Sequence, residues 1–189
     1  KTTASLVVRL LAESGKIDVA RPIEVYLPAL RGTEWAGTSV LDVLDMASGM
    51  DTVETQANRA QPRSAMTRDS LAAGGEPNAD GQKEELFEVV RSAKRLRPAG
   101  QAFEYSSMNT TLLALLAEAV ENKRWHEIFQ ERVWAKMTAE GDMPVAYAPD
   151  GTALVHGLVA SRLRDLARYG LLYTPSWGKA ARERVVSAA

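Results

Sequence analysis

The 189-residue chain contains no cysteine. That excludes a disulfide scaffold, a thiolate metal site and a cysteine nucleophile. It leaves the compartment open, because cytoplasmic and exported proteins alike can lack cysteine. Charge of one sign is not in excess either: 23 Lys and Arg stand against 24 Asp and Glu, a net charge of −1. Proteins that bind nucleic acid by neutralising phosphates concentrate Lys and Arg, so no nucleic-acid partner is expected. No apolar run approaches the ~18 residues of a membrane-spanning helix, so no membrane span is expected, and Lys1 to Ser5 show no signal-peptide pattern. Histidine is scarce, with only two residues. His126-Glu127 opens an apparent HExxH zinc motif, but Gln130 stands where the second imidazole would be needed, and His156 is remote in sequence. No metal is expected.

What is present has the composition of a globular protein, 46% apolar and 25% charged. The length suits one domain, or one large piece of a bigger domain. Without an initiator Met, and with an apolar helix beginning almost at once, the chain is expected to start inside a larger protein.

The apolar spacing predicts a buried helix over residues 3–13, closed at Gly15. An extended connection is expected over Val19 to Pro28, and a short helix over Val40 to Met46 with Ser39 as N-cap and Gly49 as stop. Residues 51–82 carry few large apolar side chains and the turn-rich run Ala73 to Asn78, which fits a surface excursion with short helices or a mobile loop. Further helices are predicted over 84–95, Asn109 to Asn122, Trp125 to Met137 and 159–173, with a strand-like piece at Ala102 to Ser106 and a weakly helical tail over Ala180 to Ala188. The chain is helix-rich, and the strands of any sheet are mostly missing from it.

A Ser-x-x-Lys pair sets a hydroxyl and an amine one helical turn apart, where a Lys of depressed pKa can take the Ser proton. The one literal match, Ser176 to Lys179, follows Pro175 and contains Gly178, so its Ser reads better as a cap or turn residue. Lys1 heads an apolar helix, where exposed N–H groups and partial positive charge gather, and a partner Ser would lie three residues upstream. Tyr105, on a short turn before another buried helix, is of the type that serves as a general base beside a Lys ammonium, the alternative being a packing role alone.

Four segments together resemble the serine β-lactamase and penicillin-binding-protein superfamily. Within it they are most similar to class C β-lactamase-like hydrolases, including esterases and the 6-aminohexanoate-dimer hydrolase branch. Lys1 to Val8 resembles the Lys of Ser-x-x-Lys and its helix. Gly15 to Asp18, Tyr26 to Pro28 and Val40 to Met50 resemble the connector and the "LLxMxSG" helix. Pro98 to Leu113 resembles the Tyr-x-Asn motif and its helix. Glu140 to Met143 and His156 to Leu172 resemble stretches of the dimer-hydrolase branch. The nucleophilic Ser and the third motif, Lys/His-Thr/Ser-Gly, are absent from the chain. Ser107 replaces the Asn of Tyr-x-Asn, and His156 stands where many relatives have Gly.

The resemblance implies an α+β, β-lactamase/transpeptidase-like fold, with residues 1–189 forming a single partial domain that covers mainly the helical part. It implies acyl transfer to water: a Ser upstream of the chain attacks an ester, amide or β-lactam carbonyl, Lys1 activates it, Tyr105 shuttles the proton, and backbone N–H groups hold the oxyanion. Lys1 and Tyr105 are thus the catalytic candidates, and Ser107, Asn109 and His156 the substrate-binding ones. No cofactor is implied. Asp165, set among Arg162, Arg164 and Arg168, is expected to fix a loop or helix end. A partial domain would expose apolar surface, so a companion segment or homo-oligomer is expected. The alternatives are a catalytically silent relative that binds a peptide or cell-wall fragment in the same cleft, and a helical interaction module.

Overall fold

A computed structural model of the chain describes residues 1–187. The centre of the molecule is α6 (Ser107–Glu121), buried on most sides by Met108, Leu112, Leu113, Leu116 and Ala117. Against it lie α1 (Thr2–Glu13), α2 (Val40–Leu44) and α7 (Trp125–Arg132). Leu6, Val7 and Leu11 of α1 are at most 2% exposed, and burying side chains of this size contributes about 1.5–3 kcal/mol each. α3 (Gln56–Arg59) and α4 (Ala65–Gly74) lie in the 51–82 excursion, and α4 packs onto α5 (Leu86–Arg91). α8 (Leu163–Leu171) lies near the chain end.

Local signals set several boundaries. The Ser39 hydroxyl accepts from the Asp42 N–H, and the Asp42 carboxylate accepts from the Ser39 N–H, a reciprocal cap that starts α2. Asn122 ends α6 in the left-handed conformation, φ 51°. Gly49 has φ +70°, and a Cβ there would stand 2.4 Å from the Arg97 carbonyl oxygen. Only glycine permits this approach of the 46–50 and 95–100 segments.

The structure departs from the sequence expectations where tertiary pairing outweighs helical spacing. Residues 159–162 are not helical, because Val159 bridges Val145 and the Ala160 N–H donates to the Pro144 carbonyl. The helix expected over 84–95 shortens to α5: Glu84 is drawn to Arg68 and Asn78, and Arg95 bridges Met50. Two short 3-10 turns, Ile23–Val25 and Pro28–Leu30, interrupt the connection expected to be extended. Residues 180–187 form no helix, and Ala181 instead bridges Met137. Ala188 lies outside the described residues. Ala102 to Ser106 forms no strand; among the described residues the only β pairings are isolated bridges. No described helix is long and apolar enough to cross a membrane.

Candidate active site

Three stretches distant in sequence meet at the N-terminal ends of α1 and α6. Lys1 precedes α1, and its Nζ donates to the Ser107 hydroxyl at 2.6 Å. The same Nζ lies 4.7 Å from the Tyr105 ring centroid. Tyr105 is 45% exposed, since it sits on the extended turn just before α6. His156 approaches from the loop that follows Val155, whose carbonyl accepts from the Lys1 backbone nitrogen at 3.3 Å.

The His156 ring is held by α6. Its Nδ1 is 3.3 Å from the Thr111 hydroxyl, which itself donates to the Ser107 carbonyl. Thr111 thus links the His156 ring to the first turn of α6. Burial, helped by the Lys1 charge, pushes His156 down to about 4. It is therefore a neutral ring at neutral pH.

Asn109 stands apart from this group. It is fully buried; its side-chain oxygen accepts from Ser48 and its amide nitrogen faces the Val43 carbonyl at 3.5 Å. Two residues into α6, its side chain is turned toward α2 and not toward Lys1. The expectation that Asn109 contacts substrate is corrected: its polar atoms tie α6 to the 43–48 segment.

Two acids outside the sequence-based candidates belong to the site. Ser107 donates its backbone N–H to the Glu54 carboxylate at 2.5 Å. Asp69 of α4 is only 6% exposed, and its Oδ1 has no hydrogen-bond partner. Burial, reinforced by the Glu54 charge and opposed by Lys1, pushes the Asp69 carboxyl up to about 7. Glu54, Arg59, Asp69, Ser107 and His156 line one cavity of about 160 Å³. On its other side Lys1 borders a mostly apolar cavity of about 380 Å³, lined by Val155, Val159, Leu166 and Tyr169 among others. A signal for Asp69 exists in the sequence: it falls on the helical stripe of Ala65, Met66 and Ala72, an acid where an apolar residue is due.

The remaining candidates lie elsewhere. His126 Nδ1 contacts the Tyr147 hydroxyl at 2.6 Å. Ser176 precedes a 3-10 turn, Trp177–Lys179, so the pair is not carried on an α-helix. Asp165 accepts from the Glu140 N–H and from Arg168, which places it at the start of α8 as a brace for the 140–141 loop. Among the described residues no group of three His, Asp or Glu is placed to hold a metal ion.

Comparison with known proteins places this arrangement in context. The model of the Beta-lactamase family matches residues 1–188. The 6-aminohexanoate-dimer hydrolase of Paenarthrobacter ureafaciens is 33% identical over 187 residues, covering 99% of this chain and 46% of the relative. A structure from Bacillus anthracis, provisionally named a 6-aminohexanoate-dimer hydrolase, superposes with a TM-score of 0.78 at 20% identity, over 90% of this chain and 44% of that one. The D-stereospecific amidohydrolase of a Streptomyces species superposes with a TM-score of 0.62 at 20% identity, over 91% and 58%. The chain thus spans about half the length of these relatives. The fold they share is the β-lactamase/transpeptidase-like α+β fold, and this chain covers mainly its helical part.

Proposed function

The chain belongs to the Beta-lactamase family, and from that premise we propose that it forms the Lys-Tyr half of a serine hydrolase that cleaves an ester, amide or β-lactam carbonyl through an acyl-enzyme. The observation that carries the reading is the Lys1 ammonium set between the Ser107 hydroxyl and the Tyr105 ring. A nucleophilic Ser three residues before Lys1 would lie one helical turn away on the same face. Tyr105, acting as general base beside the Lys1 ammonium, takes the Ser proton as Ser attacks the carbonyl, and returns that proton to the leaving group. Water then attacks the acyl-enzyme and releases the acid. The neutral His156 offers a ring nitrogen to hydrogen-bond the substrate, and Ser107 relays between Lys1 and the cavity.

Asp69 and Glu54 favour an amide substrate with a cationic end. A carboxyl buried without a partner is costly, and an alkylammonium entering the cavity would supply the missing partner. The Paenarthrobacter relative is named for the dimer of 6-aminohexanoate, a linear amide with a free amine. Exposed Leu158, Leu163 and Leu166 form apolar surface that a companion segment or a second copy would cover. An octameric penicillin-binding-protein homologue from Pyrococcus abyssi, which shares the fold at 18% identity and a TM-score of 0.65, makes self-association worth measuring by light scattering.

The test is labelling with a fluorophosphonate serine probe followed by peptide mapping, on protein that includes the residues preceding Lys1. The label is expected on the Ser three residues upstream. K1A and Y105F are expected to slow labelling about 10²–10⁴-fold, the usual range for a general acid–base group. A folded parent protein that takes no label refutes the hydrolase reading in favour of a binding role for the same cleft.

A further inference from the structure

The turn that carries Tyr105 is anchored on its upstream side, where the Glu104 N–H donates to the Met46 carbonyl at 2.6 Å, but not at the helix it enters. It forms no strand, α6 has no side-chain cap at its first residue, and no acid sits in the first turn of α6. The Ser106 hydroxyl, in the capping position, is diverted to Thr52 at 2.9 Å. Glu54 supplies what the helix lacks. Its backbone N–H donates to the Tyr105 carbonyl at 2.9 Å, and its carboxylate accepts from the Ser107 N–H at 2.5 Å. One residue thus grips both ends of the Tyr105-Ser106-Ser107 turn. A carboxylate at the first N–H of a 15-residue helix also meets the positive end of the helix dipole.

We propose that Glu54 is a positioning residue, which fixes the Tyr105 and Ser107 side chains relative to the Lys1 ammonium by holding the turn between them. The reaction it serves rests on the hydrolase reading above, while the grip itself does not. The two contacts are separable, because any non-proline variant at position 54 keeps the backbone N–H to Tyr105 and only the side chain changes. In E54Q an oxygen still reaches the Ser107 N–H. In E54D the charge remains but the side chain is one methylene short. A positioning role follows reach, not charge.

The experiment measures the rate constant of fluorophosphonate labelling for the parent, E54Q, E54D and E54A, together with amide hydrogen exchange at Ser107. E54Q, which keeps the reach but loses the charge, is expected to label faster than E54D and E54A. E54D and E54A are expected to label about 10–100-fold more slowly, the scale on which a displacement of about 1 Å costs rate. Saturation by the probe should be little changed. A residue needed only for folding would reduce the fraction of molecules labelled and leave the rate constant of the rest unchanged, and that outcome overturns the proposal. Exchange at Ser107 should accelerate about tenfold in E54D and E54A but not in E54Q. Unchanged exchange in E54D, or equal slowing of E54Q and E54D, also overturns it. If the parent takes no label, the hydrolase reading fails on its own, and exchange at Ser107 alone decides whether Glu54 holds the turn.

Discussion

Replacing Asp69 with Asn should make the protein more stable, and increasingly so as pH rises. Well below pH 3.8 the carboxyl is protonated in both the folded and unfolded chain, so it contributes no pH dependence there. Above that, the unfolded chain releases this proton while the folded chain holds it up to about 7. The folded state then binds more protons than the unfolded state, and stability falls with pH across this window. Holding a carboxyl at about 7 in place of 3.8 corresponds, at 1.36 kcal/mol per pH unit, to about 4 kcal/mol as an upper bound. The neutral amide of D69N escapes this cost. Urea unfolding at pH 4.5, 6 and 8 should show the D69N protein pulling ahead of the parent through the window, by about 2–4 kcal/mol at pH 8. A difference that stays constant with pH to within about 0.5 kcal/mol would refute the reasoning, since a carboxyl that ionises normally in the fold produces no such trend.

Three further outcomes are expected. Trp35 is fully buried, and its indole N–H donates to the Val90 carbonyl at 2.7 Å, so W35A should cost about 3–5 kcal/mol in denaturant unfolding. Gly32 and Gly49 both have positive φ, but a Cβ at Gly32 meets open space while one at Gly49 meets the Arg97 carbonyl. G32A should therefore cost about 1–2 kcal/mol and G49A about 1–3 kcal/mol more, which parallel melts will resolve. His156, pushed down to about 4, should show ring carbon chemical shifts that stay constant from pH 8 to pH 5.5 by NMR.

The helices that form the frame were legible because their signals are local. Apolar spacing marked α1 and α6 to within two residues, and Ser39 marked the start of α2. The ends of the later elements were not legible, because long-range pairing decides them. Nothing near Val159 announces that it will bridge Val145, and nothing near Glu84 announces Arg68. The same division runs through the site. Lys1 and Tyr105 could be singled out because each stands at the head of a patterned helix. Asn109 misled because sequence spacing does not say which face of α6 a polar residue occupies, and here that face turns to Ser48.

Glu54 and Asp69 escaped notice for a reason that bears on how the site works. Both belong to the 51–82 excursion, whose few large apolar residues give it the weakest pattern in the chain. A segment with little apolar surface to bury is free to place acids inward at the cavity, and an Asp on the inner stripe of α4 weakens the pattern that would have marked the helix. The frame that holds Lys1 and Tyr105 is built from α1 and α6, whereas one wall of the cavity, opposite Ser107 and His156, comes from the excursion through Glu54, Arg59, Met66 and Asp69. Changes in the excursion can therefore alter what the cavity accepts while leaving the Lys-Tyr pair in place. Glu54 is the point where this separation breaks down, because it touches the cavity and the Tyr105 turn at once.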